Sequence, residues 1–267
     1  MELLVLEKNK EKTKLSLMVK KTNPAYVNTL RRIIIDHVPT MAIETVEIKK
    51  NSSILYDEII AHRLWLVTLK TDLRSYTLPK ECSCDGEGCA KCQCNFTLKA
   101  NGPCTVYASD LKSKDPKIIP VFPKTPIVKL LKGQELELMA TATLGTGKEH
   151  SKWSPGLVFY KYKPCLELKG ACSNPEKVID SCPKGVFELK NKKLSINKDN
   201  LLKCHLCEAC IDVCRPKGAV KLEESKEEII FNIETWGQLS YNDILKNAIN
   251  IFDNTLDDFS KSLKKIK

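Results

Sequence analysis

The run Cys204-His205-Leu206-Cys207-Glu208-Ala209-Cys210-Ile211-Asp212-Val213-Cys214 decides how the chain is divided. Three thiols at three-residue steps let one tight loop wrap a corner of a cubane, the ligand spacing of an iron-sulfur cluster. The fourth thiolate of such a site comes from a distant Cys followed by Pro, and Cys182-Pro183 supplies that pair. One cluster is expected, on Cys182, Cys204, Cys207 and Cys210. The preferred form is 4Fe-4S, and 3Fe-4S is the alternative should Cys182 not ligate. Zinc held by four thiolates is the competing occupant. Upstream, Cys165 and Cys172 form no second run, so Cys214 has no second cluster to serve. It is expected as a buried thiol or in a disulfide, with Cys172 as the candidate partner.

A second group reads Cys82-x-Cys84-x4-Cys89-x2-Cys92-x-Cys94, interleaved with Gly86 and Gly88. Paired knuckles present four thiolates tetrahedrally and suit zinc, with Cys82, Cys84, Cys89 and Cys92 as the set. Cys94 and Cys104 are surplus candidates, and disulfide pairing is the other reading. Disulfides are rare inside cells, hyperthermophiles excepted.

Outward from the Cys204 run, Pro164, Pro175, Pro183 and Pro216 punctuate a segment of roughly 60 residues, 163–222, too small to build much core unaided. After it, Ile229, Phe231 and Ile233 alternate as a strand. Ser240 then offers an N-cap with Asp243 three residues on. Tyr241, Ile244, Leu245, Ala248, Phe252, Thr255, Leu256 and Phe259 form an apolar stripe along a long helix. At the other end, Leu15, Leu17 and Val19 share a strand face, and Asn23-Pro24 opens a helix carrying Val27, Leu30, Ile33 and Ile34 that stops before Pro39. Between them, Val46 with Ile48, Phe96 with Leu98, and Leu136 with Leu138 alternate. Asp57 to Leu66 reads as a short helix running into a strand. Gly145-Thr146-Gly147-Lys148-Glu149 lacks the Ser/Thr and the following helix of a phosphate loop.

These elements predict an α+β chain in three parts. Residues 1–50 and 223–267 form one domain of sheet plus long helices. Residues 51–162 form an inserted, mostly β domain with the Cys loop 82–94. Residues 163–222 form a ferredoxin-like iron-sulfur insert. With 267 residues, 42% hydrophobic and 28% charged, the chain has the composition of a globular protein. No stretch approaches a membrane span, and the start turns charged at once, so a cytoplasmic protein is expected. The charge of +10 is spread along the chain rather than gathered into a nucleic-acid surface. Lysine and glutamate abundance is also a mark of hyperthermophiles.

Asn28-Thr29-Leu30-Arg31-Arg32 with Val38-Pro39-Thr40-Met41-Ala42, then Asp57-Glu58-Ile59-Ile60-Ala61-His62-Arg63-Leu64, then Gly147-Lys148-Glu149-His150-Ser151-Lys152-Trp153-Ser154-Pro155 resemble three shared blocks of one family. This is the alpha-like family of archaeal DNA-directed RNA polymerase, related to the bacterial alpha subunit and the eukaryotic third-largest subunit. The resemblance spans the chain, and the ferredoxin-like insert points to the archaeal branch. It implies an alpha-type dimerisation domain built from both chain ends. It also implies pairing with subunit L as a heterodimer, contacts with subunits N and P, and docking of the large catalytic subunits, so that DNA is met only through the complex. Arg31 and Arg32 are expected at a solvated edge or at the large-subunit interface, and His62 as a satisfied structural histidine.

Three function classes compete on these residues: an assembly subunit of a nucleotidyltransferase complex, an iron-sulfur electron-transfer subunit of an oxidoreductase, and a metal-stabilised nucleic-acid module. The chain offers no dinucleotide fingerprint, no Asp triad and no nucleophile-base pair, and it holds four His. No catalytic residue is assigned.

Overall fold

Alternation and turn chemistry set the elements. The computed structural model describes residues 1–266. In chain order these are β1 (Glu2–Lys8), β2 (Lys14–Lys20), α1 (Pro24–His37), β3 (Thr40–Asn51), α2 (Asp57–Trp65), β4 (Gln93–Asn101), β5 (Cys104–Tyr107), β6 (Lys112–Ser113), β7 (Pro126–Leu130) and β8 (Glu135–Gly145). Then follow β9 (Gly156–Leu168), α3 (Pro175–Ser181), β10 (Phe187–Lys190), β11 (Lys193–Ile196), α4 (Ala209–Val213), β12 (Val220–Thr235) and α5 (Tyr241–Lys264). The chain forms two compact units. One comprises Met1–Glu7, Ser16–Asn28 and Phe159–Asn232, the other Lys8–Leu15, Thr29–Val158 and Ile233–Lys267. The division falls within β1, β2, α1, β9 and β12.

The larger unit is built on a sheet ordered β3-β8-β4-β6. β8 pairs antiparallel with β3 and with β4, placing Ala140 opposite Val46 on one side and Phe96 on the other. A central strand buried at every second residue explains why Leu136, Leu138, Ala140, Ala142 and Leu144 are all hidden. Helix α2 lays Ile60 and Leu64, both fully buried, into the same core. β5 and β7 pair separately.

One expectation fails here. The stretch after α2 is no strand: Leu69 makes one isolated bridge, to Pro120, held by the Lys70 amide on the Ile119 carbonyl at 2.9 Å and the Val121 amide on the Thr68 carbonyl at 2.8 Å. His62 is exposed on α2, its ring centre 6.4 Å from that of Trp65 in an edge-on arrangement.

The three blocks that carry the family resemblance meet in this unit. The Thr40 hydroxyl donates to the Trp153 carbonyl at 2.6 Å. The register of β3 against β8 slips between Ile43 and Thr45, so Glu44 is an extra residue whose side chain is re-aimed. It pairs with the Lys152 ammonium, which also donates to the Ile43 carbonyl at 3.1 Å. That ammonium lies 4.3 Å from the Trp153 ring centre and 5.0 Å from that of Trp65, a cation-π arrangement. Close packing accounts for the glycines nearby: a Cβ on Gly145 would stand 2.3 Å from the Trp153 ring, and one on Gly147 2.0 Å from the Ile35 carbonyl oxygen.

The smaller unit carries a sheet ordered β1-β2-β12-β9 and the hairpin β10-β11, paired from Phe187 with Ile196 to Lys190 with Lys193. Its cysteine-bearing part packs on Val178, Val186, Phe187, Cys210, Cys214 and Val220. Among the described residues, no helix is long and apolar enough to cross a membrane.

Candidate metal centres

The Cys82 loop precedes β4 and is shaped by its glycines. Asp85, Gly86 and Gly88 have φ of +49°, +86° and +98°, conformations that suit glycine and fold the loop into two knuckles. In the first, the Asp85 amide donates to the Cys82 carbonyl at 3.0 Å; in the second, the Cys92 amide donates to the Cys89 carbonyl at 3.1 Å. The sulfurs of Cys82 and Cys84 are 3.4 Å apart, those of Cys82 and Cys89 3.5 Å, and those of Cys84 and Cys92 3.6 Å. A tetrahedral ion with metal-sulfur bonds of about 2.3 Å sets its sulfurs about 3.8 Å apart, whereas a disulfide needs about 2.05 Å. The separations match the ion. Backbone amides point at the sulfurs as well, Cys89 N–H to Cys92 Sγ at 3.3 Å and Lys91 N–H to Cys89 Sγ at 3.4 Å.

Those amides shape the electrostatics. The Cys89 and Gly88 N–H groups hold the Cys84 thiol down at about 6, and the Cys84 N–H lowers that of Cys82. Burial pushes Cys92 up to about 12. Cys94 stands outside the set: it is buried on β4 with its sulfur 3.5 Å from the Ser113 hydroxyl. Cys104, exposed at the start of β5, contacts the Asn101 carbonyl instead.

The structure brings Cys182, Cys204, Cys207 and Cys210 to the wall of one cavity, together with Leu166, Val186, Phe187 and Leu222. Cys182 ends α3, where the Val186 amide donates to its sulfur at 3.4 Å. Cys210 lies in the first turn of α4. Between the three clustered cysteines, Leu206 and Glu208 adopt φ of +58° and +62°, a costly backbone for residues with side chains. These two left-handed residues curl the loop so that its thiols converge. Among the described residues, only the Cys82 group draws its ligand atoms within 4.8 Å of one another. The wider ring suits a polynuclear cluster, whose thiolates bind different irons. Burial, then the charge of Cys204, pushes Cys210 up to about 11.

The sulfurs of Cys172 and Cys214 are in contact, 3.1 Å apart. The Asn174 carboxamide accepts from Cys172 at 3.2 Å, so polar contacts occupy the pair. Cys165 is exposed on β9. No spacing in the sequence marks Lys161, yet from β9 its ammonium donates to the Leu202 carbonyl at 2.6 Å and to the Cys204 carbonyl at 3.1 Å.

The long helix has its own geometry. Ser240 caps it, accepting from the Asp243 amide at 3.2 Å, and Tyr241, Ile244 and Ala248 are buried. Beyond that the stripe leaves the core. Ile249, Leu256, Phe259 and Leu263 are 47%, 50%, 62% and 50% exposed. With Phe252 they repeat at spacings of three and four, the seam of a coiled coil. On the edge strand β1, Leu3, Leu4 and Val5 are likewise exposed. Arg32 is exposed beside Asp36, 3.9 Å away.

Residues 42–156 match the RNA polymerase Rpb3/RpoA insert domain. The chain is 39% identical to the DNA-directed RNA polymerase subunit Rpo3 of Methanosarcina mazei, over 94% of each chain. It is 36% identical to that of Archaeoglobus fulgidus, over 95% of each, and 34% identical to that of Pyrococcus horikoshii, over 96% of each.

Proposed function

Because the chain belongs to the family of archaeal DNA-directed RNA polymerase subunit Rpo3, we propose that it pairs with the smaller subunit L through the seam of α5. It is a non-catalytic assembly subunit of that polymerase. The pair then forms the platform on which subunits N and P and the large catalytic subunits dock. Both chain ends build the dimerisation domain, with the β-rich insert of 51–162 between them.

One observation carries the pairing: four large apolar side chains of α5 stand about half exposed in heptad register. Such a patch marks an interaction surface, and burying it is worth about 25 cal/mol per Å². A partner helix of the same kind fits the seam.

The two cysteine groups serve this platform from within. Cys82, Cys84, Cys89 and Cys92 hold zinc, and Cys182, Cys204, Cys207 and Cys210 hold one iron-sulfur cluster, with 4Fe-4S preferred. Bound metal supplies cross-links, and its binding energy becomes folding energy for segments with little core. The chain's own contribution is to present converging thiols on strained, amide-braced loops. Cytoplasmic residence follows from the role in transcription.

Purification of the native protein without oxygen tests this reading. The chain is expected to elute with the large polymerase subunits and to carry zinc and about four irons with matching sulfide. Elution alone would contradict the assembly role, and zinc in both sites would contradict the cluster.

A further inference from the structure

We infer that Lys161 is a counter-cation behind the cluster loop, beside Lys184 in the cavity wall: a positioning residue that braces the Cys204 loop and raises the reduction potential of what that loop holds. This rests on the iron-sulfur reading of Cys182, Cys204, Cys207 and Cys210.

Lys161 projects from β9 and is half-buried. Its ammonium is held by two backbone oxygens of the cluster loop, Leu202 at 2.6 Å and Cys204 at 3.1 Å. Among the described residues no carboxylate stands within the 4.0 Å of an ion pair. Lys163, two positions along the strand and so on the same face, differs: its ammonium meets Glu228 at 2.6 Å. A desolvated cation without an opposite charge is costly. The missing charge is supplied from beyond the loop. Four thiolates around a cubane core leave a net charge of about −2, and the carbonyl that Lys161 grips belongs to Cys204 itself.

Two effects on the cluster follow. Reduction adds a negative charge, which a nearby cation in a poorly solvated setting favours. The ammonium also draws the Leu202 and Cys204 carbonyl oxygens toward itself, so their negative ends serve the lysine. Net charge and hydrogen bonding around the sulfurs are the means by which a protein sets cluster potential.

The test is an anaerobic redox titration of the full-length chain, wild type against Lys161→Met and Lys161→Arg, followed by electron paramagnetic resonance with iron counted in each sample. Lys161→Met is expected to shift the one-electron equilibrium about tenfold or more toward the oxidised form, a midpoint about 59 mV lower. Lys161→Arg keeps the charge and should stay near wild type. A simple brace would change iron content without moving the potential of the clusters that remain. If Lys161→Met retains too little iron to titrate, Lys161→Gln, which keeps a neutral N–H donor, is titrated in its place with the same expected shift. An unchanged potential in the neutral variant that holds iron would overturn the inference. A wild-type protein with no cluster would overturn the iron-sulfur reading beneath it.

Discussion

A Cβ on Gly147 would lie 2.0 Å from the Ile35 carbonyl oxygen, so the residue is glycine for want of room, not to cradle a phosphate. The Lys148 amide is spent on the Asp36 carbonyl at 2.9 Å. Gly147→Ala should therefore destabilise the protein by roughly 1–3 kcal/mol, read from a denaturant titration. The cysteines give a second prediction. Near neutral pH Cys84 is already ionised, held at about 6 by the Cys89 and Gly88 amides. Cys92, pushed up to about 12 by burial, keeps its proton until a metal displaces it. Each zinc bound thus releases at least one proton, and affinity should rise about tenfold or more from about pH 7 to about pH 8. Competition with a coloured chelator measures it; an affinity independent of pH would contradict the assignment. That each cysteine set converges in space was legible as a spacing, since neighbours in sequence are brought together by one tight loop. Lys161 and the Glu44 to Lys152 pair were not, because each depends on where a strand or a bulge aims one side chain.

Helix α5 shows what periodicity tells and what it leaves out. Its cap and its apolar rows are readable, yet a helical period gives the width of a face and not what covers it. Tyr241, Ile244 and Ala248 go into the core of the chain itself, whereas Ile249, Leu256, Phe259 and Leu263 stay half exposed. One continuous stripe is in fact two faces with different partners. Phe259→Lys should accordingly leave stability within about 0.5 kcal/mol, as for an exposed position, while abolishing pairing with subunit L in a co-purification assay. Unimpaired pairing would place the interface elsewhere. The stretch after α2 failed for a related reason: Val67 and Leu69 are buried, which alternation detects, but burial does not say how far backbone pairing runs, and here it stops at a single bridge.

At the scale of the whole molecule, the two cysteine sites belong to different compact units, and on the proposed reading each metal would bring binding energy to its own surroundings. Removal of iron by a chelator should strip hydrogen-exchange protection from α3, α4 and the β10-β11 hairpin. The β3-β8-β4-β6 sheet, with its own large apolar core, should keep its protection. Global loss of protection would mean that the cluster supports more than its own segment. The assembly role itself is tested most directly by native mass spectrometry of this chain co-expressed without oxygen with subunit L. A one-to-one heterodimer carrying zinc and a single iron-sulfur cluster is predicted, and a chain that remains alone, or pairs only with itself, would contradict it.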